Sequence, residues 1–129
     1  MTIARWLILL GSICMFVGAL LHILGGSVGV FPALAKAGMD PRVAGAIKCV
    51  WLVVSAHGLL LSPALVWISR RPATRSLLLY LALIPVVDAV LMYSFVGFFS
   101  GSYIVATTAL LLVTGAWLLP RTEEPQSAK

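Results

Sequence analysis

A long apolar stretch, residues 47–69, limits what this chain can fold into. Its sequence is IKCVWLVVSAHGLLLSPALVWIS, and as one helix it would extend about 35 Å at 1.5 Å per residue. The hydrocarbon core of a bilayer is about 30 Å thick, so the stretch is long enough to cross it. The whole chain is 61% hydrophobic and only 10% charged, whereas a soluble domain carries about 25% charged residues. We therefore expect an all-α membrane protein.

Three further apolar runs have similar lengths, and the four together predict a four-transmembrane-helix bundle. The bundle forms one domain, residues 1–119, followed by a short polar cytoplasmic tail, residues 120–129. The expected spans are about residues 3–24, 46–68, 77–98 and 103–119.

Residues 26–40 are predicted to be the only substantial loop, because their early glycines and Pro32 disfavour regular structure. Within this loop, a short interfacial helix is expected to end at Gly38. Asp40 followed by Pro41 has the pattern of an N-cap and the first residue of a helix. The second helix is therefore expected to begin at Pro41, before the hydrocarbon region.

The positions of the basic residues predict the orientation. Six of them lie on one side of the four spans and three on the other. By the positive-inside rule, the side with more basic residues faces the cytoplasm, so both termini are expected there. The protein itself is expected in the cell inner membrane. Because these residues flank apolar runs, the net charge of +5 indicates a bilayer partner and no nucleic acid. The six are Arg5, Arg70, Arg71, Arg75, Arg121 and Lys129, and the three are Lys36, Arg42 and Lys48.

Asp88 and His57 are the candidate catalytic or ligand-binding centre. Asp88 is the one acidic residue inside the predicted spans, and a charged carboxylate at mid-membrane costs about 3 kcal/mol. His57 lies about 16 Å and Asp88 about 14 Å from the outer boundary at 1.5 Å per residue. Their spans are joined by a short loop and should be antiparallel neighbours, so we expect the two side chains to pair. Such a pair can bind a proton or cation, or act as acid and base.

Three functions are compatible with this pair. The first is binding or transport of a small or lipophilic ligand, such as a lipid-like, sterol-like or quinone-like molecule. The second is a membrane-embedded enzyme that uses the pair for acid–base chemistry on a lipophilic substrate. The third is a structural or accessory subunit, in which Asp88 is protonated and bonded to the carbonyl of Leu81 or to a threonine of the fourth span. An open cavity favours the first two, and a close-packed interior favours the third.

Further polar and aromatic residues are candidates for ligand binding. His22 and Lys48 lie near the outer ends of their spans. They either line the mouth of a cavity whose floor holds His57 and Asp88, or Lys48 simply extends its amine to the lipid headgroups. The candidate ligand-binding residues are His22, Lys48, Trp51, Met92, Tyr103 and Thr107.

Two surfaces predict a homo-oligomer. One is a glycine seam on the first span, whose small residues let another helix approach closely. The other is a serine stripe on the second span, opposite His57. Both surfaces are difficult to place against a single four-helix core, so one of them is expected to contact a second subunit. The glycine seam comprises Gly11, Met15, Gly18, His22 and Gly25, and the serine stripe comprises Lys48, Ser55 and Ser62.

No metal site and no cofactor is predicted. The two histidines, His22 and His57, would be offset by about 11 Å along the membrane normal, too far to bind one haem iron from opposite sides. Cys14 and Cys49 fall in different spans at different depths, and the sequence has no CxxC motif. Neither a disulfide nor thiol redox chemistry is therefore expected.

Overall fold

A computed structural model of the protein describes residues 1–71 and 74–120, and it confirms the prediction of an all-helical fold. These residues include no strand, and four of their helical segments are long and apolar enough to cross a membrane. The predicted polar tail beyond Pro120, with Arg121 and Lys129, lies outside the described residues. The helices are α1 (Ile3–Gly25), α2 (Phe31–Lys36), α3 (Pro41–Ile68), α4 (Arg75–Val96) and α5 (Ser100–Trp117).

The start of α3 is confirmed at Pro41. The Asp40 carboxylate accepts hydrogen bonds from the backbone N–H groups of Arg42 at 2.9 Å and Val43 at 3.3 Å. These N–H groups have no partner within the helix, so the cap satisfies them. Pro41 occupies the first helical position, where its missing N–H costs nothing.

The predicted loop at residues 26–40 is wrong in its first part, residues 26–31. The chain remains helical through a π-helical turn at Gly26–Val30 and continues directly into α2. In this wider turn the N–H of Phe31 donates to the carbonyl of Gly26, and the altered register accommodates Pro32, which lacks a donor. The predicted short helix is present, and the chain turns after it at Gly38, where φ is +62°.

The connection between α4 and α5 comes earlier in the chain than predicted. α4 ends at Val96 rather than at residue 98, because Gly97 adopts a φ of +85°, a conformation open mainly to glycine. The Ser102 hydroxyl accepts from the N–H of Phe99 at 2.9 Å and donates to its carbonyl at 2.7 Å. Because of these two hydrogen bonds, α5 begins at Ser100 instead of residue 103.

The packing order of the long helices is α3, α1, α5, α4. α1 and α5 pack closely against each other, α3 packs against α1, and α4 packs against α5. A Cβ atom at Gly115 of α5 would lie 3.0 Å from both the Ala4 carbonyl oxygen and the Ile8 backbone nitrogen. Only glycine permits this approach of α5 to α1. By contrast, α3 and α4 contact each other sparsely.

The compact core lies at the end of the bundle that carries the α3–α4 connection. Leu65 of α3 and Leu78 of α4, both close to this connection, belong to the same buried cluster. The fully buried residues of α4 all lie in its first half. Away from the connection, α3 and α4 therefore separate, and the space between them is the α3–α4 cleft. The buried cluster comprises Ile8, Leu65, Leu78, Ala82, Leu112 and Ala116.

The two surfaces that predicted a homo-oligomer pack largely within one protomer. In the glycine seam, a Cβ at Gly11 would meet Leu112 of α5, and His22 bonds Ser55 of α3. In the serine stripe, Ser55 and Ser62 are buried. One face of α1 therefore packs against both α3 and α5. Homo-oligomerisation stays a prediction without this support.

Candidate functional site

The α3–α4 cleft contains both residues of the predicted centre. His57 is exposed on α3, and Asp88 is half-buried on α4. The His57 imidazole is near enough to act electrostatically on the Asp88 carboxylate. The two side chains are neither hydrogen-bonded nor in a direct ion pair. Both polar groups therefore remain available to a third group that enters the cleft.

Asp88 makes none of the bonds that a structural role would require. Among the described residues, no hydrogen bond reaches its carboxyl group, either from the backbone or from a threonine of α5. Thr108 is the buried threonine of α5, and its hydroxyl has no partner. A polar group that holds helices together in a membrane does so through hydrogen bonds, and the described residues supply none to Asp88.

An open, apolar groove adjoins His57 on α3. It has a volume of about 360 Å³, within the range of about 300–1,000 Å³ found for small-molecule sites. Val50 and Val54 from its lining precede His57 by about two turns and one turn of helix, so the three share one stripe of α3. The groove therefore leads along α3 toward His57, and its lining comes from α1 and α3. Its lining residues are His22, Ala46, Ile47, Val50, Trp51 and Val54.

His22 is fixed against α3 at this groove. Its Nδ1 atom lies 2.8 Å from the Ser55 hydroxyl, and its ring stacks on the indole of Trp51 with centroids 3.9 Å apart and planes inclined by 5°. The Trp51 indole N–H donates to the His22 backbone carbonyl at 2.7 Å. Gly26 makes room for this indole, because a Cβ at that position would overlap it. The His22 imidazole is therefore held rigidly rather than free to rotate.

Ser55 links His22 to the backbone of α3. Its hydroxyl lies 2.8 Å from His22 Nδ1 and 3.0 Å from the Trp51 backbone carbonyl, to which it can donate. His22 Nε2, the other ring nitrogen, is a second polar atom of the imidazole. His22 is thus the one ionisable residue in the lining of a groove that is otherwise apolar.

Of the remaining candidates, Lys48 lies away from the groove and Met92 lies in the cleft. The Lys48 amine is 5.8 Å from the centroid of the Phe31 ring, so its charge is directed toward α2. Met92 is half-buried one turn beyond Asp88, on the same side of α4.

Tyr103 and Thr107 are both exposed on α5. The Tyr103 ring stacks on Phe98, with centroids 5.9 Å apart. The buried side of α5 is formed instead by residues such as Thr108 and Leu112. The structure therefore brings neither Tyr103 nor Thr107 to the groove.

Sequence reasoning missed the partnership of His22 with Ser55. Trp51 and Ser55 are four residues apart, so they share a helical face, and Gly26 lies one turn after His22, directly beyond α1. A polar, an aromatic and a glycine position at these spacings could have indicated that the serine stripe faces α1. Phe31, which packs edge-on against Trp51 with centroids 6.5 Å apart, lies in the predicted loop, so this contact is also not foreseen.

Comparison of the chain with protein-family models, with curated proteins and with solved structures found no match.

Proposed function

We propose that this protein is a small multi-pass protein of the cell inner membrane, with both termini in the cytoplasm, that binds or transports a small lipophilic ligand. The observation that carries the proposal is the separation of α3 from α4, which leaves His57 exposed and Asp88 half-buried, together with an apolar groove along the stripe of α3 that leads to His57. A close-packed interior would have favoured a structural subunit.

The groove and the pair have complementary roles in this proposal. The apolar part of the ligand lies along Val50 and Val54, where burial of apolar surface is favourable. Its polar end reaches His57 and Asp88, which together offer hydrogen-bond donors and acceptors. An imidazole and a carboxylate that do not bond each other can each bond the ligand.

A second candidate function is acid–base catalysis by the same two residues. The observation that favours it is that the His57 imidazole is near enough to act electrostatically on the Asp88 carboxylate, with no hydrogen bond or ion pair between them. This arrangement leaves room for a substrate atom between a proton donor and a proton acceptor. Recovery of a probe in chemically altered form would distinguish catalysis from binding.

The test is photo-crosslinking of the purified protein in lipid nanodiscs. Diazirine-bearing fatty acid and diazirine-bearing sterol are the probes, and mass spectrometry maps the labelled residues. We expect labels at the cleft-facing residues of α3 and α4. Asp88→Asn should lower this labelling about tenfold or more, because a hydrogen bond to a charged group contributes about 1.5–3 kcal/mol.

Asp40→Asn is the matched control. It makes the same chemical change outside the cleft, and asparagine is as good an N-cap as aspartate, so labelling should stay at the wild-type level. Labels spread evenly over all exposed helix faces, or labelling that Asp88→Asn leaves unchanged, would show that the cleft is not a ligand site.

A further inference from the structure

The opposite end of the bundle holds a second cavity, between α1 and the C-terminal end of α3. Its volume is about 210 Å³, and two arginines, Arg5 and Arg70, line it together. Arg5 comes from the first turn of α1, and Arg70 follows α3 directly. The cavity therefore brings two permanent positive charges from separate segments into one place. Its lining residues are Met1, Arg5, Leu9, Val66, Ser69 and Arg70.

No carboxylate among the described residues is placed to neutralise these charges. The acids in this part of the chain are Asp40 and Asp88. Asp40 caps the far end of α3, about 40 Å away at 1.5 Å per residue, and Asp88 lies in the middle of α4. Since two arginines at one cavity repel each other, the arrangement favours an anionic occupant.

The other side chains at this end define the kind of anion. Leu9 and Val66 give the cavity an apolar floor between two helices whose neighbouring side chains are apolar. Arg71 is already engaged, because its guanidinium lies 4.6 Å from the centroid of the Trp67 ring. Tryptophan side chains are enriched at membrane–water interfaces. A ligand of this site therefore has an anionic head at the interface and an apolar body below it.

We propose that Arg5 and Arg70 form a binding site for the phosphate of an anionic phospholipid, with its acyl chain along Leu9 and Val66. Arginine binds phosphate oxygens through paired N–H groups. Basic pockets between transmembrane helices on the cytoplasmic side recognise anionic headgroups in this way. The site rests on the membrane location proposed above but is independent of the ligand of the α3–α4 cleft.

The test is native mass spectrometry of the full chain released from micelles containing equal amounts of phosphatidylglycerol and phosphatidylcholine. The wild-type protein should retain phosphatidylglycerol preferentially. Arg5→Gln/Arg70→Gln should reduce this preference about tenfold or more, because each basic residue near an anionic lipid headgroup contributes to the affinity for that lipid. Lys36→Gln/Arg42→Gln removes the same charge at the other end and should leave the preference unchanged.

Two outcomes of this comparison would overturn the proposal. One is an equal loss in both double variants, which would mean attraction by net charge alone. The other is no loss in Arg5→Gln/Arg70→Gln. Cleft labelling by the diazirine probes, measured on the same variant, should stay at the wild-type level, so failure of this site is distinguishable from failure of the proposed function.

A lysine variant tests whether the site needs arginine rather than positive charge alone. Arg5→Lys/Arg70→Lys keeps both charges but lacks the planar guanidinium fork, so the preference for phosphatidylglycerol should fall about threefold. An unchanged preference would contradict the proposal even if the glutamine variant fails to fold.

If the carboxylates of Glu123 and Glu124 occupied the cavity, Glu123→Gln/Glu124→Gln would raise lipid retention. We expect no such rise, and observing one would overturn the lipid assignment.

Discussion

The indole of Trp51 donates a 2.7 Å hydrogen bond to the backbone carbonyl of His22, and the two rings stack with their centroids 3.9 Å apart. This double contact joins α1 to α3 at the end of the bundle where α3 and α4 separate. One side of the groove is therefore rigid, while the other side is open. Ser55, which is only 1% exposed, completes the contact through the second hydrogen bond to His22.

Ser55→Ala should weaken this junction. It removes the partner of His22 Nδ1 and leaves the His22 ring held only by its stacking on Trp51. We expect the free energy of unfolding, measured by SDS titration in mixed micelles, to fall by about 0.6–1.7 kcal/mol, the range for hydrogen bonds in membrane proteins. Ser94→Ala is the control, because Ser94 is exposed and bonds only the Val90 carbonyl of its own helix. An equal loss in both variants would contradict the proposed junction.

Gly115→Ala should destabilise the α1–α5 contact. The added Cβ would lie 3.0 Å from backbone atoms of Ala4 and Ile8, which cannot move without shifting α1. We expect a loss of about 1–3 kcal/mol in the free energy of unfolding, as for other overpacked sites. At Gly45 of α3 a Cβ meets nothing within 4 Å, so Gly45→Ala should be neutral or stabilising by up to about 1 kcal/mol. The reverse order of the two variants would show that the close approach is absent.

Asp88→Leu tests whether Asp88 contributes to stability or to ligand binding. Because Asp88 has no hydrogen bond to lose, and a charged carboxylate in a membrane costs about 3 kcal/mol, the leucine variant should unfold no more easily than the wild-type protein. Its labelling by the diazirine probes should nevertheless be lost. If Asp88→Leu lowered the free energy of unfolding instead, Asp88 would be holding helices together, and the accessory-subunit hypothesis would be favoured.

The proposed orientation predicts the reactivity of an added C-terminal cysteine. In intact cells an impermeant maleimide should fail to label it, because six basic residues accompany the termini and three lie on the opposite side. Labelling after permeabilisation is the positive control. Efficient labelling of intact cells would place the C-terminus outside.

Much of the fold could be predicted from the sequence because local patterns determine it. Long apolar runs predict the helices, and Asp40 with Pro41 predicts the start of α3. The continuation of α1 through Gly26–Val30 could not be predicted, because it depends on a tertiary contact. By its helix propensity Gly26 is expected to end a helix. Its role is instead to leave space for the Trp51 indole, which a Cβ at this position would overlap.

The candidate site was predictable only in part. Depth along the helices placed His57 and Asp88 at one level, and the structure places them in one cleft. The separation of α3 from α4 could not be predicted, because a short connection implies antiparallel neighbours but not contact along their whole length. The arginine cavity was missed for a similar reason: in the sequence, Arg5 and Arg70 are far apart and serve only to indicate orientation.

The cleft itself can be tested by disulfide crosslinking of α3 to α4. In a Cys14→Ser/Cys49→Ser background, two pairs are compared after mild oxidation. Leu65→Cys/Leu78→Cys lies in the shared core cluster near the connection. Val54→Cys/Met92→Cys lies on the same sides of the two helices as His57 and Asp88, one turn nearer the open end.

A disulfide requires Cα atoms within about 7 Å of each other. We predict rapid crosslinking of the Leu65/Leu78 pair and little or none of the Val54/Met92 pair. The Leu65/Leu78 pair thus serves as an internal control for folding and oxidation. Equal, rapid crosslinking of both pairs would show that α3 and α4 are packed along their whole length, and it would contradict the open cleft on which the proposed function depends.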